Sequence, residues 1–327
     1  MLDTAVRSMN ETRFESEGVD APPLSRRTYD RYVHSIRVAY GSMALLDRLD
    51  DEALFIEPYE AFAGANLQTR LELAVRAAKR RLSAVSPALS RALYDQPRYR
   101  RLTFLNRSVY IAIFNEQGSD WYETTQMLTL DFHLESFLGM HENAKTIYDV
   151  GGHQGVWATY YAISAGPTGR VYTFEPSIIN IEGIALNFLL NDLDNIIIAP
   201  VAVGATNETV RPTSNGLLVD EVEHNLNVLR FDHVLWEKPD FIKIDIEGFE
   251  YEMVTSFPKL FDFCCNMHLE IHVPHLVKRG IDYREILALI PFDRVRVRLS
   301  KYTHAEDVGP DVVLEDFSTL LLSPRSS

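Results

Sequence analysis

The stretch Thr146-Ile147-Tyr148-Asp149-Val150-Gly151-Gly152-His153-Gln154-Gly155 decides the fold. Ile147–Val150 has the apolar, β-branched and aromatic character of a short strand. It carries an acid near its end and runs straight into glycines. A helical pattern over Val156–Ser164 follows. Glycine lets the backbone turn sharply there and lets a bound ligand approach the chain closely. The spacing is not the dinucleotide pattern G-x-G-x-x-G, because the position two after Gly151 is His153 and the next glycine is Gly155.

Outward from this turn the chain keeps alternating. Strands are expected at Arg170–Glu175, Ile196–Val203, Phe241–Asp245, Met267–Val273, Arg294–Ser300 and Leu320–Ser323. Helices are expected at Ile178–Asn191, Phe249–Ser256 and Tyr283–Ile290. Strands that alternate with helices need crossover connections, which gives a largely parallel sheet covered by helices.

Acids stand at the strand ends. Val171-Tyr172-Thr173-Phe174-Glu175-Pro176 places Glu175 twenty residues after Gly155, where a carboxylate can accept the hydroxyls of a ribose. Phe241-Ile242-Lys243-Ile244-Asp245-Ile246-Glu247 delivers Asp245 and Glu247 in the same way. Ligands of open α/β sheets sit beyond the carboxyl ends of the strands. Asp149, Glu175, Asp245 and Glu247 therefore meet on one rim and suit a cationic, hydroxyl-rich ligand such as S-adenosylmethionine. In Met267-His268-Leu269-Glu270-Ile271-His272-Val273, alternation puts Glu270 and His272 on one side of the strand. His272 is the candidate general base for an acceptor hydroxyl, and Asp245 and Glu247 are candidates to orient that acceptor. Asp245, Glu247, Glu270 and His272 also make an oxygen-rich set for a divalent metal. His153 and His275 are weaker candidates, and Asn187 and Asn191 share a helix face where they can simply end the helix.

Upstream the character differs. Residues 1–27 read as disordered, with few apolar groups and the pairs Pro22-Pro23 and Arg26-Arg27. Residues 28–118 read as a mainly helical extension. One apolar stripe holds Val33, Ile36, Tyr40 and Met43, a second runs from Asn66 to Ser83, and a hairpin turns at Asn106-Arg107. The net charge is −14, yet residues 70–107 hold ten Lys/Arg against Glu72 and Asp95, a local +8 that leaves −22 elsewhere. The acidic body argues against a nucleic-acid partner. The basic segment is either a solvated face or a site for a phosphorylated or otherwise anionic substrate, or for a lipid surface. No apolar run is long enough for a membrane span. The N-terminus lacks a secretory apolar core, and the two cysteines, Cys264 and Cys265, are adjacent. A cytoplasmic location is the expectation.

Taken together, residues from about Trp121 to Ile290 resemble the FkbM family of methyltransferases. The resemblance rests on Asp149-Val150-Gly151 with Gly155, on Phe174-Glu175-Pro176, on Asn187 and Asn191, on Ile242 through Glu250, and on Glu270-Ile271-His272. It implies a Rossmann-like seven-stranded sheet over a domain of residues 119–327. It also implies S-adenosylmethionine as methyl donor, held by Asp149, Gly151, Gly152, His153, Gly155, Glu175, Pro176 and Asp245. The implied reaction is O-methylation of a sugar, glycan, glycolipid or secondary-metabolite hydroxyl. The chain departs from the family pattern at Gly152-His153, where Ala-Asn is usual, and His153 is larger and titratable.

Two other classes compete. A nucleotide-dependent oxidoreductase would use the same architecture, but the glycine spacing speaks against it. A non-catalytic module that binds a glycan or a partner would have less use for Glu175 and Asp245.

Overall fold

The computed structural model describes residues 55–56, 98–105, 107–113, 118, 122, 139–210, 226–263, 265–301 and 304–325. The disordered tail expected over 1–27, both apolar stripes and most of the basic segment lie outside these residues.

The glycine-rich turn follows the first strand of the main sheet. The elements in chain order are β1 (Phe55–Ile56), β2 (Arg98–Phe104), β3 (Arg107–Ile113), β4 (Thr146–Val150), α1 (Val156–Ala165), β5 (Arg170–Phe174), α2 (Ile178–Leu190), β6 (Ile196–Ala199), β7 (Ala202–Gly204), β8 (Glu208–Val210), β9 (Leu226–Arg230), β10 (Phe241–Ile244), α3 (Glu250–Ser256), β11 (Asn266–His272), α4 (Val273–Lys278), α5 (Arg284–Leu287), β12 (Val295–Ser300), β13 (Ala305–Asp307) and β14 (Phe317–Pro324). The main sheet has the order β13-β12-β14-β11-β10-β4-β5-β6. Strands β6, β5, β4, β10 and β11 run parallel. β14 inserts antiparallel between β11 and β12. The architecture is the expected Rossmann-like one, with a short eighth strand, β13, added to the expected seven at one edge.

The chain leaves β4 outward through β5 and β6, then returns to place β10 on the other side of β4. Order therefore reverses between β4 and β10, and the crevice at such a switch point is where open α/β sheets bind ligands. Val150 pairs with Ile244 at this point, so Gly151 and Asp245 leave the sheet side by side.

The burial pattern explains the sheet. All of β10, and all but the first residue of β4 and of β5, are buried, as befits strands covered on both faces. One apolar core gathers Tyr148, Val150, Phe174, Ile242, Ile244, Leu269 and Leu320, and a second gathers Ile147, Val156, Tyr161, Val171, Ile184 and Phe241. Alternation along β4 sends Ile147 and Tyr148 to different cores.

Several elements differ from the sequence reading. The extended run 196–203 breaks into β6 and β7, and β7 joins β9 and β8 in a separate three-stranded sheet. The helix expected over 283–290 shortens to α5. The sequence reading does not include helix α4, directly after β11; Pro274 lies in its first turn, where proline is tolerated. The hairpin is present as β2 and β3. Among the described residues no helix is long and apolar enough to cross a membrane.

β3 is attached to the main body by two asparagines. Asn187 accepts from Ala112 N at 2.5 Å and donates to Ala112 O at 3.2 Å and Gln154 O at 2.7 Å. Asn191 accepts from Tyr110 N at 2.8 Å and donates to Tyr110 O at 2.7 Å. Four helical residues advance about 6 Å, close to the roughly 6.7 Å of two strand residues. The two amides thus stand in for a neighbouring strand along β3. They do not simply end the helix.

Candidate functional site

The site is built around the turn after β4. Gly151 has φ +90 and Gly155 φ +78, both in the left-handed region that favours glycine. A side chain at Gly151 would overlap the backbone carbonyl of Asp245, and one at Gly152 would overlap the Thr173 hydroxyl. Gly151 N and Gly152 N both donate to Phe174 O at 3.0 Å, which straps the turn to the end of β5.

Glu175 completes the strap. It is buried, and its Oε2 accepts from His153 N at 2.9 Å. Its Oε1 accepts from Ser177 N at 2.9 Å and from Asn180 Nδ2 at 3.3 Å. An ionised carboxylate offers about four lone-pair sites. Three are in use, so one acceptor position on Oε2 is left for a ribose hydroxyl, fewer than the pair of hydroxyls such an acid can take. Burial pushes the Glu175 carboxyl up to about 7, against the hydrogen bonds from Ser177, Asn180 and His153. Pro176 follows it directly in the chain.

Asp149 points inward and is fully buried. It accepts from Thr173 Oγ1 at 3.0 Å and lies 3.4 Å from Lys243 Nζ. Lys243 is a residue to which the sequence reading gave no role. Its ammonium donates to Gly151 O at 3.0 Å and stands 3.2 Å from Asp245 Oδ2. Burial works against the charged lysine, but Asp245 and Asp149 outweigh it and hold its pKa above the ordinary range. The signal for Lys243 was available: a lone cation inside an otherwise apolar strand. Burial raises the Asp149 carboxyl, with Lys243 and Thr173 opposing. Asp149 thus braces the turn from below.

The second half of the rim comes from β10, α3 and β11. Glu247 has φ +55 and Gly248 φ +99, so the chain reverses tightly between Asp245 and α3. Glu250, fully buried, holds this reversal: its Oε1 accepts from Ile246 N at 3.2 Å and Gly248 N at 3.0 Å. The same oxygen lies 2.9 Å from His272 Nδ1. That fixes the ring so that Nε2 faces Glu247 Oε2 at 3.2 Å and Asp245 Oδ1 at 3.6 Å. The spacing Asp-Ile-Glu-Gly-Phe-Glu thus makes one carboxylate aim a histidine at two others.

Burial alone would lower the His272 pKa, but Glu250, Asp245 and Glu247 outweigh it and lift it to about 9. Burial pushes Glu247 and Glu270 up to about 7. It would also raise Asp245, but Lys243 and His272 hold that carboxyl below its ordinary range. Donor atoms of Asp245, Glu270 and His272 all lie within 4.8 Å of one another, an oxygen-and-nitrogen set that fits a divalent cation. His275 stacks on His272 at 5.5 Å, and its Nδ1 lies 3.1 Å from Glu247 O.

The structure therefore brings Asp149, Gly151, Gly152, His153, Gly155, Glu175 and Asp245 together around one turn, and Glu247, Glu270 and His272 beside it. His153 differs from the titratable group expected. Burial pushes its pKa down to about 3, and its Nδ1 shares a 2.9 Å hydrogen bond with Tyr122 Oη. It is neutral at working pH.

Solved structures similar to this chain include a methyltransferase FkbM from Methylobacillus flagellatus KT, at 16% identity and a TM-score of 0.40. The match covers 63% of this chain and 54% of that one, so the chain spans about half the length of that protein. Another is the 16S rRNA methyltransferase RsmC of T. thermophilus in complex with AdoMet and guanosine. It is 12% identical over 70% of this chain and 51% of its own, with a TM-score of 0.41. No curated protein matches. Residues 149–302 match the family model described as the methyltransferase FkbM domain. That span begins at Asp149 and takes in Glu175, Asp245, Glu247 and His272. Over that span the chain is thus similar to the methyltransferase FkbM domain.

Proposed function

We propose that the protein transfers a methyl group from S-adenosylmethionine to a hydroxyl of a small-molecule, glycan or glycolipid acceptor. The observation that carries this reading is the meeting of the Glu175-anchored turn with the Asp245–Glu247–His272 cluster at the switch point of the sheet. The group fits the residues present: a glycine turn with no room for side chains, a buried carboxylate with one acceptor site left, and an acidic rim for a cation.

In this reading Gly151, Gly152, His153 and Gly155 shape the turn against which the cofactor lies, and Pro176 follows its anchor. Glu175 takes a ribose hydroxyl on its open Oε2 position. Asp245 lies between the two halves and faces the cationic end of the ligand. When bound, S-adenosylmethionine supplies an electrophilic methyl group on a sulfonium. Asp245 and Glu247 orient the acceptor oxygen, and the cluster they form with His272 takes up the proton that oxygen loses. A divalent cation on Asp245, Glu270 and His272 is a second reading, favoured by the 4.8 Å convergence of their donor atoms. The ten basic residues of 70–107 support an anionic acceptor. The adjacent cysteines support a reducing, cytoplasmic setting.

The test is transfer of a labelled methyl group from S-adenosylmethionine into extracts of cells that lack the gene, followed by mass spectrometry of the labelled product. A product one methyl heavier, with the label on oxygen, is expected. Label on nitrogen or carbon, or none above a heat-inactivated control, overturns the reading.

A further inference from the structure

The turn after β4 contains one residue that is costly where it stands. His153 has φ +45, a region that disfavours residues bearing a Cβ by roughly tenfold in population. The conformation is used, because it carries His153 N to Glu175 Oε2 at 2.9 Å. Without it the acid at the end of β5 loses its link to the turn.

The side chain of His153 is held from outside the matched domain. Tyr122 Oη lies 2.9 Å from His153 Nδ1, with ring centroids 5.3 Å apart, and Tyr122 is buried. Gly118, four residues earlier, packs on the next residue of the turn: a side chain there would overlap the Gln154 amide. Gln154 is itself fully buried, and its carbonyl takes the Asn187 amide at 2.7 Å. The upstream chain thus reaches the turn at two consecutive residues, and Tyr122 grips the strained one.

We propose that Tyr122 is a positioning residue for the cofactor turn, holding His153 in the left-handed conformation that links the turn to Glu175. The inference rests on the reading of this turn as the S-adenosylmethionine site. Pre-organisation of this kind appears in affinity, because a turn that is only partly in the competent form binds more weakly by that fraction. The competing reading is that Tyr122 only packs, and the two differ in what glycine at position 153 does.

Glycine adopts φ +45 without steric cost and needs no grip. The experiment is therefore a cycle of Tyr122→Phe, His153→Gly and the double variant, titrated calorimetrically with S-adenosylhomocysteine. Chemical denaturation is run in parallel to confirm folding. Loss of one hydrogen bond predicts a dissociation constant raised about fivefold in Tyr122→Phe. In the His153→Gly background the same substitution is expected to change it less than twofold. A Tyr122→Phe protein that denatures earlier but binds as the wild type does shows packing alone and overturns the proposal. Equal losses in both backgrounds overturn it too, since Tyr122 would then act through another contact. A wild-type protein that binds no S-adenosylhomocysteine overturns the cofactor reading itself, and the first titration shows it before any variant is made.

Discussion

Lys243 Nζ donates to the carbonyl of Gly151 at 3.0 Å, so a buried ammonium on β10 fixes the first residue of the turn that follows β4. It also stands between Asp149 and Asp245. The turn is therefore held from below by charge and from the side by Glu175, and neither support depends on a ligand.

Replacing Lys243 by methionine keeps much of the volume and removes the charge. The buried Asp149 and the half-buried Asp245 then lose their counter-ion, and breaking a buried pair by removing one partner costs about 3–5 kcal/mol. Urea denaturation of Lys243→Met is expected to show a loss of that size. A loss below about 1 kcal/mol would mean that Asp149 and Asp245 find compensation elsewhere.

Asn187→Leu should cost stability for a different reason. It leaves Ala112 N, Ala112 O and Gln154 O without the partner they have now. A buried polar group left unsatisfied costs about 1–3 kcal/mol, so the sum is roughly 3 kcal/mol or more. Amide exchange at Ala112 should quicken together with the fall in stability. Exchange that stays slow there would show that β3 is held by its pairing with β2 alone.

The raised carboxyl of Glu175 sets the direction of two pH effects. Its folded pKa is about 7 against an ordinary 4.5. Its contribution to the stability of the cofactor-free protein is therefore full below about 4.5 and lost as pH rises through about 7. Cofactor binding runs the other way, because the ionised carboxylate is the better acceptor for a ribose hydroxyl. Affinity for S-adenosylhomocysteine should rise from pH 6 to pH 8 and level off above. In Glu175→Gln that step should vanish, leaving affinity about tenfold lower throughout. A step that survives in the variant would assign it to another group.

His272→Ala removes the ring that Glu250 aims at Glu247 and Asp245. The surrounding carboxylates keep the ring protonated up to about pH 9, so it takes the acceptor's proton only in its neutral form and activity should rise with pH toward about 9. A group in that role contributes about 10²–10⁴-fold, so turnover should fall by that factor while cofactor affinity is kept. Assays with added magnesium or manganese, and with a chelator, separate the two readings of the cluster. Wild-type activity abolished by the chelator and restored by the metal would make His272 a ligand. Indifference to both leaves it in the proton path.

Much of this was legible in the sequence because strand ends and glycine turns are local features. Asp149, Gly151, Glu175 and Asp245 each mark the place where an apolar run stops, and topology alone brings such places together. Glu250 and Lys243 were quoted as letters of a motif but had no role, since their partners come from other strands. The same holds for the asparagines on α2. Their spacing suggests a helix end, and only the approach of β3, some eighty residues earlier, shows what their amides bind. His153 looked titratable because a sequence does not show burial. Tyr122 could not be linked to it, because a contact across thirty-one residues leaves no periodic trace.

The most direct test of the account is calorimetric titration of the intact chain with S-adenosylmethionine and, separately, with nicotinamide dinucleotides. One molecule of S-adenosylmethionine per chain is expected, weakened about tenfold by Glu175→Gln, with no heat from the dinucleotides. Saturable dinucleotide binding, or S-adenosylmethionine binding that is unaffected in Glu175→Gln, would contradict it.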